Sequence, residues 1–505
     1  MAQGPGADKI SLVHLDLKGA PPKLVYYEQL FPLLKQWGAG GLLVEYEDMF
    51  PYWGELEILQ AKNMYRQEEI RQIVTLAKQN DLIVTPLVPT FGHLEFLLKH
   101  EKFRHLREVP KYPMSLCPLN PDSLIIVGQM IDQVLSLHPE SNWFHIGGDE
   151  VFHIGCCEQC KAFNADDKQD KELYLYFTGQ VLKLMKEKYP DKTCIMWDDM
   201  LRNRSLHQLK ASGIGDLVEP MVWQYSQQLE LPEDIWCRYS QVFPSVWIAT
   251  AYKGATGPAQ QATNIAYHIE NHKAWVSVAS QVATLFKNFR GYALTGWQRY
   301  DHYAGLCELL PQAIPSLALN LHILRQGAFT FELYDAVSKQ LGFTEPVTLN
   351  PFGLFEPIQC QFPGSEIYKG IIILLRLTAE YDMIINSDRV KSWMSEYHVK
   401  YNVCNPVHVE HILKPAKKLQ KDFEEYKKYM QLALANVYYS DTVEEWVCDH
   451  ILSKLGRLNE LIHTAERMLV IENEAQMNGV LAGGSGAMDL DRSVVEGETD
   501  DGNST

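Results

Sequence analysis

The chain has 505 residues, 46% of them hydrophobic and 11% aromatic, which is enough core for two or more domains or for one large α/β barrel with an appendage. Its formal net charge of −17 argues against nucleic acid as the main partner, because phosphate binding needs a basic face. No apolar run reaches the roughly 18 residues of a membrane span, and the opening "MAQGPGADKISLVHLD" has neither a basic n-region nor an apolar h-region, so a leaderless protein of cytoplasm and nucleus is expected.

Short apolar runs begin at residue 10, after a leader (1–9) expected to be disordered. They are "ISLVHLDL" (10–17), "GLLVEYE" (41–47), "LIVTPLVP" (82–89), "WFHIGGDE" (143–150), "CIMWDD" (194–199), "LVEPMVWQY" (217–225), "SVWIATAY" (245–252) and "GYALTGW" (291–297). Continuous apolar character suits parallel strands covered on both faces. Amphipathic segments at 24–37, 67–80, 121–138, 170–189, 263–286 and 310–324 read as intervening helices. Eight such units predict an α/β fold, a catalytic (β/α)8 TIM barrel over 10–330. An open doubly wound sheet would carry a Gly-rich fingerprint after its first strand, and "KGAPPK" is not one. Long charged helical patterns at 365–396, 407–437 and 442–475 predict a C-terminal α-helical domain over 331–478. The Gly-, Ser- and acid-rich stretch 479–505 is expected to be a disordered acidic tail. Ten cysteines in a leaderless chain read as reduced. Cys157 and Cys160 form a CxxC without a second CxxC, so no metal and no cofactor are expected.

In a (β/α)8 barrel the chemistry sits at the C-terminal strand ends. Here those ends carry Asp16 and Lys18; Glu45, Glu47 and Asp48; His93 and Glu95; Asp149 and Glu150; Trp197, Asp198 and Asp199; Trp223, Gln224 and Tyr225; Tyr252 and Lys253; Trp297, Gln298 and Arg299. Carboxylates interleaved with aromatic rings suit a sugar, whose C–H faces stack on rings and whose hydroxyls bond to acids. A tryptophan at a strand end equally well closes the barrel, but three of them, Trp197, Trp223 and Trp297, favour a pocket. Adjacent strand residues point to opposite sides, so Asp149 and Glu150 are not expected to face each other across a scissile bond. That pattern fits glycoside cleavage in which a 2-acetamido oxygen of the substrate is the nucleophile: one acid holds the acetamido N–H and the other protonates the leaving group. Close pairing should push one of the two pKa values upward. Gly147 and Gly148 would allow close approach of backbone and substrate.

"HIGGDEV", "PTFGHLEF" and "WDDM" resemble the motifs of the family 20 glycoside hydrolases, the β-N-acetylhexosaminidases, after barrel strands four, three and five; the likeness spans residues 10 to about 325. The resemblance implies an exo-acting hydrolase of terminal β-linked GalNAc or GlcNAc, with Glu150 as general acid/base and Asp149 orienting the acetamido group and stabilising an oxazolinium intermediate. It implies that His93 positions the acid, that Trp197, Trp223 and Trp297 wall the sugar, and that Tyr252 bonds the acetamido oxygen. Asp16, Asp48 and Arg299 complete the expected substrate-binding set. Two positions depart from the family pattern: Lys18 stands where an arginine follows strand one, and Arg299 where a Trp-x-Glu motif has its glutamate. Both departures fall among contacts to the outer hydroxyls and point toward galactosaminides. Competing readings are a sugar-binding barrel without turnover, a metal hydrolase using His14, His93 and His145, and a conventional retaining glycosidase with Glu45 or Asp198 as the second carboxylate. The expected partner is a small molecule or glycan ending in N-acetylhexosamine, with no nucleic acid and no membrane span; a homodimer through the C-terminal helices is a further expectation.

Overall fold

The computed structural model describes residues 9–164, 172–350 and 358–481. The expected leader and acidic tail thus lie outside the described residues, apart from Lys9 and residues 479–481. Ten strands are described: β1 (Ile10–Asp16), β2 (Gly41–Glu45), β3 (Ile83–Leu87), β4 (Arg107–Val109), β5 (Tyr112–Leu116), β6 (Trp143–His145), β7 (Thr193–Trp197), β8 (Val218–Trp223), β9 (Ser245–Lys253) and β10 (Asn288–Gly296). Eight of them close into a parallel barrel in the cyclic order β1-β2-β3-β6-β7-β8-β9-β10. The remaining two, β4 and β5, form an antiparallel hairpin inserted after β3. Every apolar run read from the sequence became a barrel strand; the short hairpin strands, three and five residues long, were not among those runs.

Closure sets which side chains enter the barrel. Leu12, Leu43, Leu87, Ile195, Met221, Trp247, Ala249 and Ala293 form one buried interior cluster. They lie at alternate positions along their strands, as the two-residue period of a strand requires. The floor of the barrel is polar. Glu219 accepts from the Trp247 indole N–H at 2.8 Å and from Arg290 Nη2 at 2.6 Å.

Helices begin and end where the sequence supplies caps. Asn120 Oδ1 accepts from Asp122 N at 3.0 Å ahead of Pro121–Leu137, and Asn264 caps Ile265–Val282 in the same way at 3.1 Å. Gly38 and Gly327, both left-handed, end Leu24–Trp37 and Leu310–Gln326.

By compactness the chain divides into two units. One comprises residues 1–379 and 422–454, the other 380–421 and 455–505. The barrel's unit therefore extends past residue 330. Its segment 422–454 returns to the C-terminal rim: Lys23 N donates to Val437 O at 2.7 Å, and Thr442 Oγ1 donates to Gly19 O at 2.7 Å. The second unit has a small core of its own, built on Met394, Val409, Ile412, Ala465 and Met468. The expected helix over 365–396 stops at Ile385, and Ser387 caps a new short helix from Asp388.

Strand β10 fixes closure at Gly291, whose φ is +134° and whose added Cβ would lie 2.1 Å from the Ile10 carbonyl oxygen. The Gly291→Ala protein is expected to lose at least about 2 kcal/mol of stability from backbone strain and the clash, read as a lower urea midpoint at unchanged slope. A midpoint within error of the wild type would contradict this packing.

Candidate active site

The strand expected over 143–150 ends at His145. Beyond it the chain turns through left-handed residues: φ is 64° at Gly147, 89° at Gly148 and 43° at Glu150. The alternation rule for strands therefore does not apply to Asp149 and Glu150, and the expectation that they point to opposite sides fails. Both carboxylates reach one histidine. His93 Nε2 lies 3.2 Å from Glu150 Oε2 and 3.5 Å from Asp149 Oδ2. His93 is itself left-handed, at φ 52°. Such conformations cost on the order of 1–3 kcal/mol each and collect at functional sites.

The glycines serve the protein's own packing rather than substrate approach. A Cβ on Gly147 would lie 3.0 Å from the Pro89 Cα, and one on Gly148 would lie 3.1 Å from the Tyr174 hydroxyl. Gly92 supports the acid loop from below, since a Cβ there would lie 2.5 Å from the Asp149 carbonyl oxygen. Asp199 fastens the loop to the aromatic wall: one carboxylate oxygen accepts from Glu150 N at 2.8 Å, the other from the Trp223 indole N–H at 3.2 Å.

The two acids titrate differently. Burial pushes the Asp149 carboxyl up to about 7; the His93 charge pulls it down and the Asp199 charge adds to the rise. Glu150 moves the other way: the hydrogen bond from His93 holds it below the ordinary carboxylate range, against its partial burial. Burial alone would lower His93, but the Asp149 charge and the bond to Glu150 outweigh it and lift the imidazole to about 10. One of the pair is raised, as pairing suggested, but it is Asp149, and burial rather than Glu150 is the main cause.

Around this pair is a cavity of about 230 Å³ at the C-terminal end of the barrel. His93, Asp149, Glu150, Trp197, Trp223, Trp297 and Arg299 line it, all anticipated from the strand ends. Lys18, Glu45, Tyr225 and Tyr300 line it as well. Trp197 belongs to both readings: it is 1% exposed, packs in the interior cluster and forms cavity floor. Tyr225 stacks on Trp223 at 5.1 Å.

A buried charge network underlies one wall. Lys18 Nζ lies 3.1 Å from Glu45, 3.2 Å from Asp16 and 3.5 Å from Glu47. His14 Nε2 meets the other Glu45 oxygen at 3.0 Å. Burial opposes ionisation of Glu45, but Lys18 and His14 hold its carboxyl well below the ordinary range. Arg299 lines the cavity with its guanidinium engaged, pairing with both Glu445 oxygens at 2.7 and 2.8 Å and donating to Lys18 O at 3.3 Å.

Three expected contacts do not line the cavity. Tyr252 is fully buried with its hydroxyl on the His14 carbonyl oxygen at 3.1 Å. It is one residue out of phase with Trp247 and Ala249, which face the interior, so it faces outward. Tyr225 and Tyr300 are the tyrosines that line the cavity, and Tyr225 is the one stacked on Trp223. Asp48 pairs with Lys99 at 3.1 Å and with His302 at 3.4 Å. Asp16 accepts from Gln298 N at 2.7 Å and so ties β1 to the segment carrying Trp297 and Arg299. Asp198, a candidate second carboxylate, is committed to Arg202, Trp223 N and Tyr239. His14, His93 and His145 do not gather as a ligand set among the described residues.

The comparisons follow this geometry. The model of the glycosyl hydrolase family 20 catalytic domain matches residues 29–233. The chain is 42% identical over 460 residues to hexosaminidase D of Homo sapiens, covering 90% of this chain and 94% of that one. It is 47% identical over 337 residues to hexosaminidase D of Bos taurus, covering 66% of this chain and 97% of that one. Among solved structures, the β-N-acetylhexosaminidase from Bacteroides fragilis shares the fold at a TM-score of 0.51 and 16% identity, over 66% of this chain and 70% of that one. The chain belongs to glycosyl hydrolase family 20.

Proposed function

We propose that this family 20 glycoside hydrolase removes a terminal β-linked N-acetylhexosamine with retention, using the substrate's own acetamido oxygen as nucleophile. The observation that carries the reading is the His93-bridged pair Asp149–Glu150 at the edge of a tryptophan-walled cavity of one-sugar size. Asp149 is the deeper of the two, its side chain 14% exposed against 43% for Glu150. Asp149 thus suits the acetamido N–H inside the pocket, and Glu150 the leaving oxygen at its mouth. In the first step the amide oxygen bonds to C1, the bond from C1 to the leaving oxygen breaks, and the Glu150 proton passes to that oxygen. In the second, water adds at C1, Glu150 takes its proton back, and the oxazolinium ring opens. Tyr225 takes the tyrosine role expected of Tyr252. The reading extends to a preference for galactosaminides, supported by Lys18 and Arg299 at the two departures from the family pattern. A reducing compartment, cytoplasm or nucleus, suits its ten free thiols.

A second reading has one observation in its favour. Glu45 lines the cavity as an ionised carboxylate, so it is placed to act as a conventional nucleophile. Its oxygens are occupied by Lys18 and His14, which makes it the weaker candidate.

Aryl β-GalNAc and β-GlcNAc should turn over, with GalNAc the faster, while the plain β-galactoside and β-glucoside should not. Glu150→Gln should lower kcat by about 10²- to 10⁴-fold. Equal cleavage of the plain sugars, with trapping by a 2-fluoro sugar, would move the nucleophile to Glu45.

The resting proton sits on Asp149, whose carboxyl titrates near 7, while Glu150 is ionised. A sugar amide N–H favours ionised Asp149, and a sugar over Glu150 desolvates it and favours its protonated form. The complex needs that one proton, so kcat/KM should fall as pH rises through about 7. Removing the His93 cation in His93→Gln raises the carboxyls, so this limb should shift to higher pH; a downward shift would contradict the assignment.

Tyr225→Phe should lose roughly ten- to a hundredfold in kcat/KM, the scale of one hydrogen bond to substrate. Tyr252→Phe should change it by less than about threefold, because that hydroxyl meets only backbone. The reverse ranking of the two variants would restore Tyr252 to the site.

A further inference from the structure

The hairpin β4–β5 and the loop beyond Glu150 meet in a cluster that catalysis does not use. Glu108 lies in β4, Cys117 follows β5, and Cys157 and Cys160 follow the acid loop. Their four ligand-type atoms all lie within 4.8 Å of one another. Cys117 Sγ is 3.6 Å from Cys157 Sγ and 3.7 Å from Cys160 Sγ, and Cys160 Sγ is 3.4 Å from Glu108 Oε2.

These separations can be compared with metal geometry. A tetrahedral zinc with Zn–S near 2.3 Å and Zn–O near 2.0 Å places its ligand atoms about 3.8 Å apart for S···S and about 3.5 Å for S···O. The three measured separations match. They are too long for a disulfide, whose sulfurs are about 2.05 Å apart.

The surroundings also fit a closed metal centre. Glu108 is 2% exposed, and no cationic side chain pairs with it among the described residues. A buried carboxylate needs a compensating positive charge. Its other oxygen, Oε1, accepts from Cys156 N at 2.6 Å and Cys157 N at 2.9 Å, which turns Oε2 toward the sulfurs. Cys160 N points at Cys157 Sγ from 3.4 Å, the kind of outer hydrogen bond that steadies a thiolate ligand. Cys156 is exposed and its sulfur faces the Ile154 carbonyl oxygen, outside the cluster.

We propose that Glu108, Cys117, Cys157 and Cys160 bind one structural zinc(II) ion. Three thiolates and one carboxylate fill a tetrahedral shell and leave no open position, so the ion takes no part in the chemistry. Soft sulfur donors in this geometry select zinc over magnesium or calcium. The ion fastens two segments that carry the active site. One is the hairpin, which brackets His93 through Leu94 N to Met114 O at 3.0 Å and Leu116 N to Phe91 O at 3.2 Å. The other is the loop that carries Asp149 and Glu150 and runs on to Cys157.

The test is elemental analysis of the full chain, purified without a histidine tag and dialysed free of loose metal. The expected result is about one zinc per chain, as for a preformed structural site. Glu108→Gln and Cys160→Ser should lose it, while Cys156→Ser should keep it. Should Cys160→Ser fail to fold, Glu108→His supplies a neutral nitrogen ligand in place of the carboxylate and should keep the metal that Glu108→Gln loses. Cobalt-loaded wild type should show the thiolate charge-transfer band and the strong visible bands of a tetrahedral site. Wild type without zinc or a cobalt band, zinc retained equally by the ligand variants, or a disulfide joining two of these cysteines would each overturn the proposal.

Discussion

One imidazolium between two neighbouring carboxylates governs the site. Asp149 and Glu150 are adjacent in sequence, and burial resists ionisation of the deeper one, Asp149. His93 lies within 3.5 Å of both and lets them share one cavity. The arrangement is reached only because the backbone gives up regular structure on both sides. His93 and Glu150 are left-handed, and β6 stops at His145 so that the acids can turn back toward β3. The strain is held by contacts with little freedom: the Asp149 carbonyl over Gly92, Glu150 N on Asp199, and Tyr174 on the Gly148 carbonyl oxygen at 2.6 Å.

The opposite wall follows a different principle. Lys18 brings a buried positive charge among Asp16, Glu45 and Glu47, and the negative charges outweigh the desolvation it suffers. Its ammonium stands 5.4 Å from the Trp297 ring. Arg299 is anchored by Glu445, from the helical segment returning to the rim. The cations that depart from the family pattern are therefore clamped from behind, and the shape of the wall follows from those pairs. Glu445, far along the chain, thus holds a side chain of the cavity wall through its pair with Arg299.

Much of this was legible in the sequence because barrel physics is repetitive. Continuous apolar runs marked all eight barrel strands, and reading each C-terminal end located the acids, the three tryptophans and Arg299. Two of the errors, at Tyr252 and at the acid pair, turn on the two-residue period of a strand. Applied to β9, that period puts Trp247 and Ala249 inside and Tyr252 outside, which the residue type alone hid. Applied to β2, it puts Leu43 and Glu45 on the inner face, where Glu45 meets the cavity. Where the backbone leaves the strand, the period carries no information. Asp149 and Glu150 were misoriented for that reason, since glycines permit a turn without dictating it. The cysteine cluster was missed for another: its ligands come from 108, 117, 157 and 160, and only the last two share a motif.

On the proposed mechanism, the opposite shifts of the pair account for how an acid held ionised at rest would serve as proton donor. In the unliganded pocket Glu150 is solvated and bonded to His93, so its charge is stabilised, while the deeper Asp149 keeps the proton. A donor tuned permanently upward would need burial, and burial would close the mouth through which the leaving group departs. The site avoids that conflict by placing the burial on the partner. On that mechanism binding would exchange the two environments: an amide N–H would arrive at Asp149, and water would leave Glu150. The proton has only to redistribute around one imidazole that touches both acids. On the proposed mechanism the acetamido group that supplies the nucleophile also favours the ionised form of Asp149, so one contact would link sugar selectivity to the protonation of Glu150.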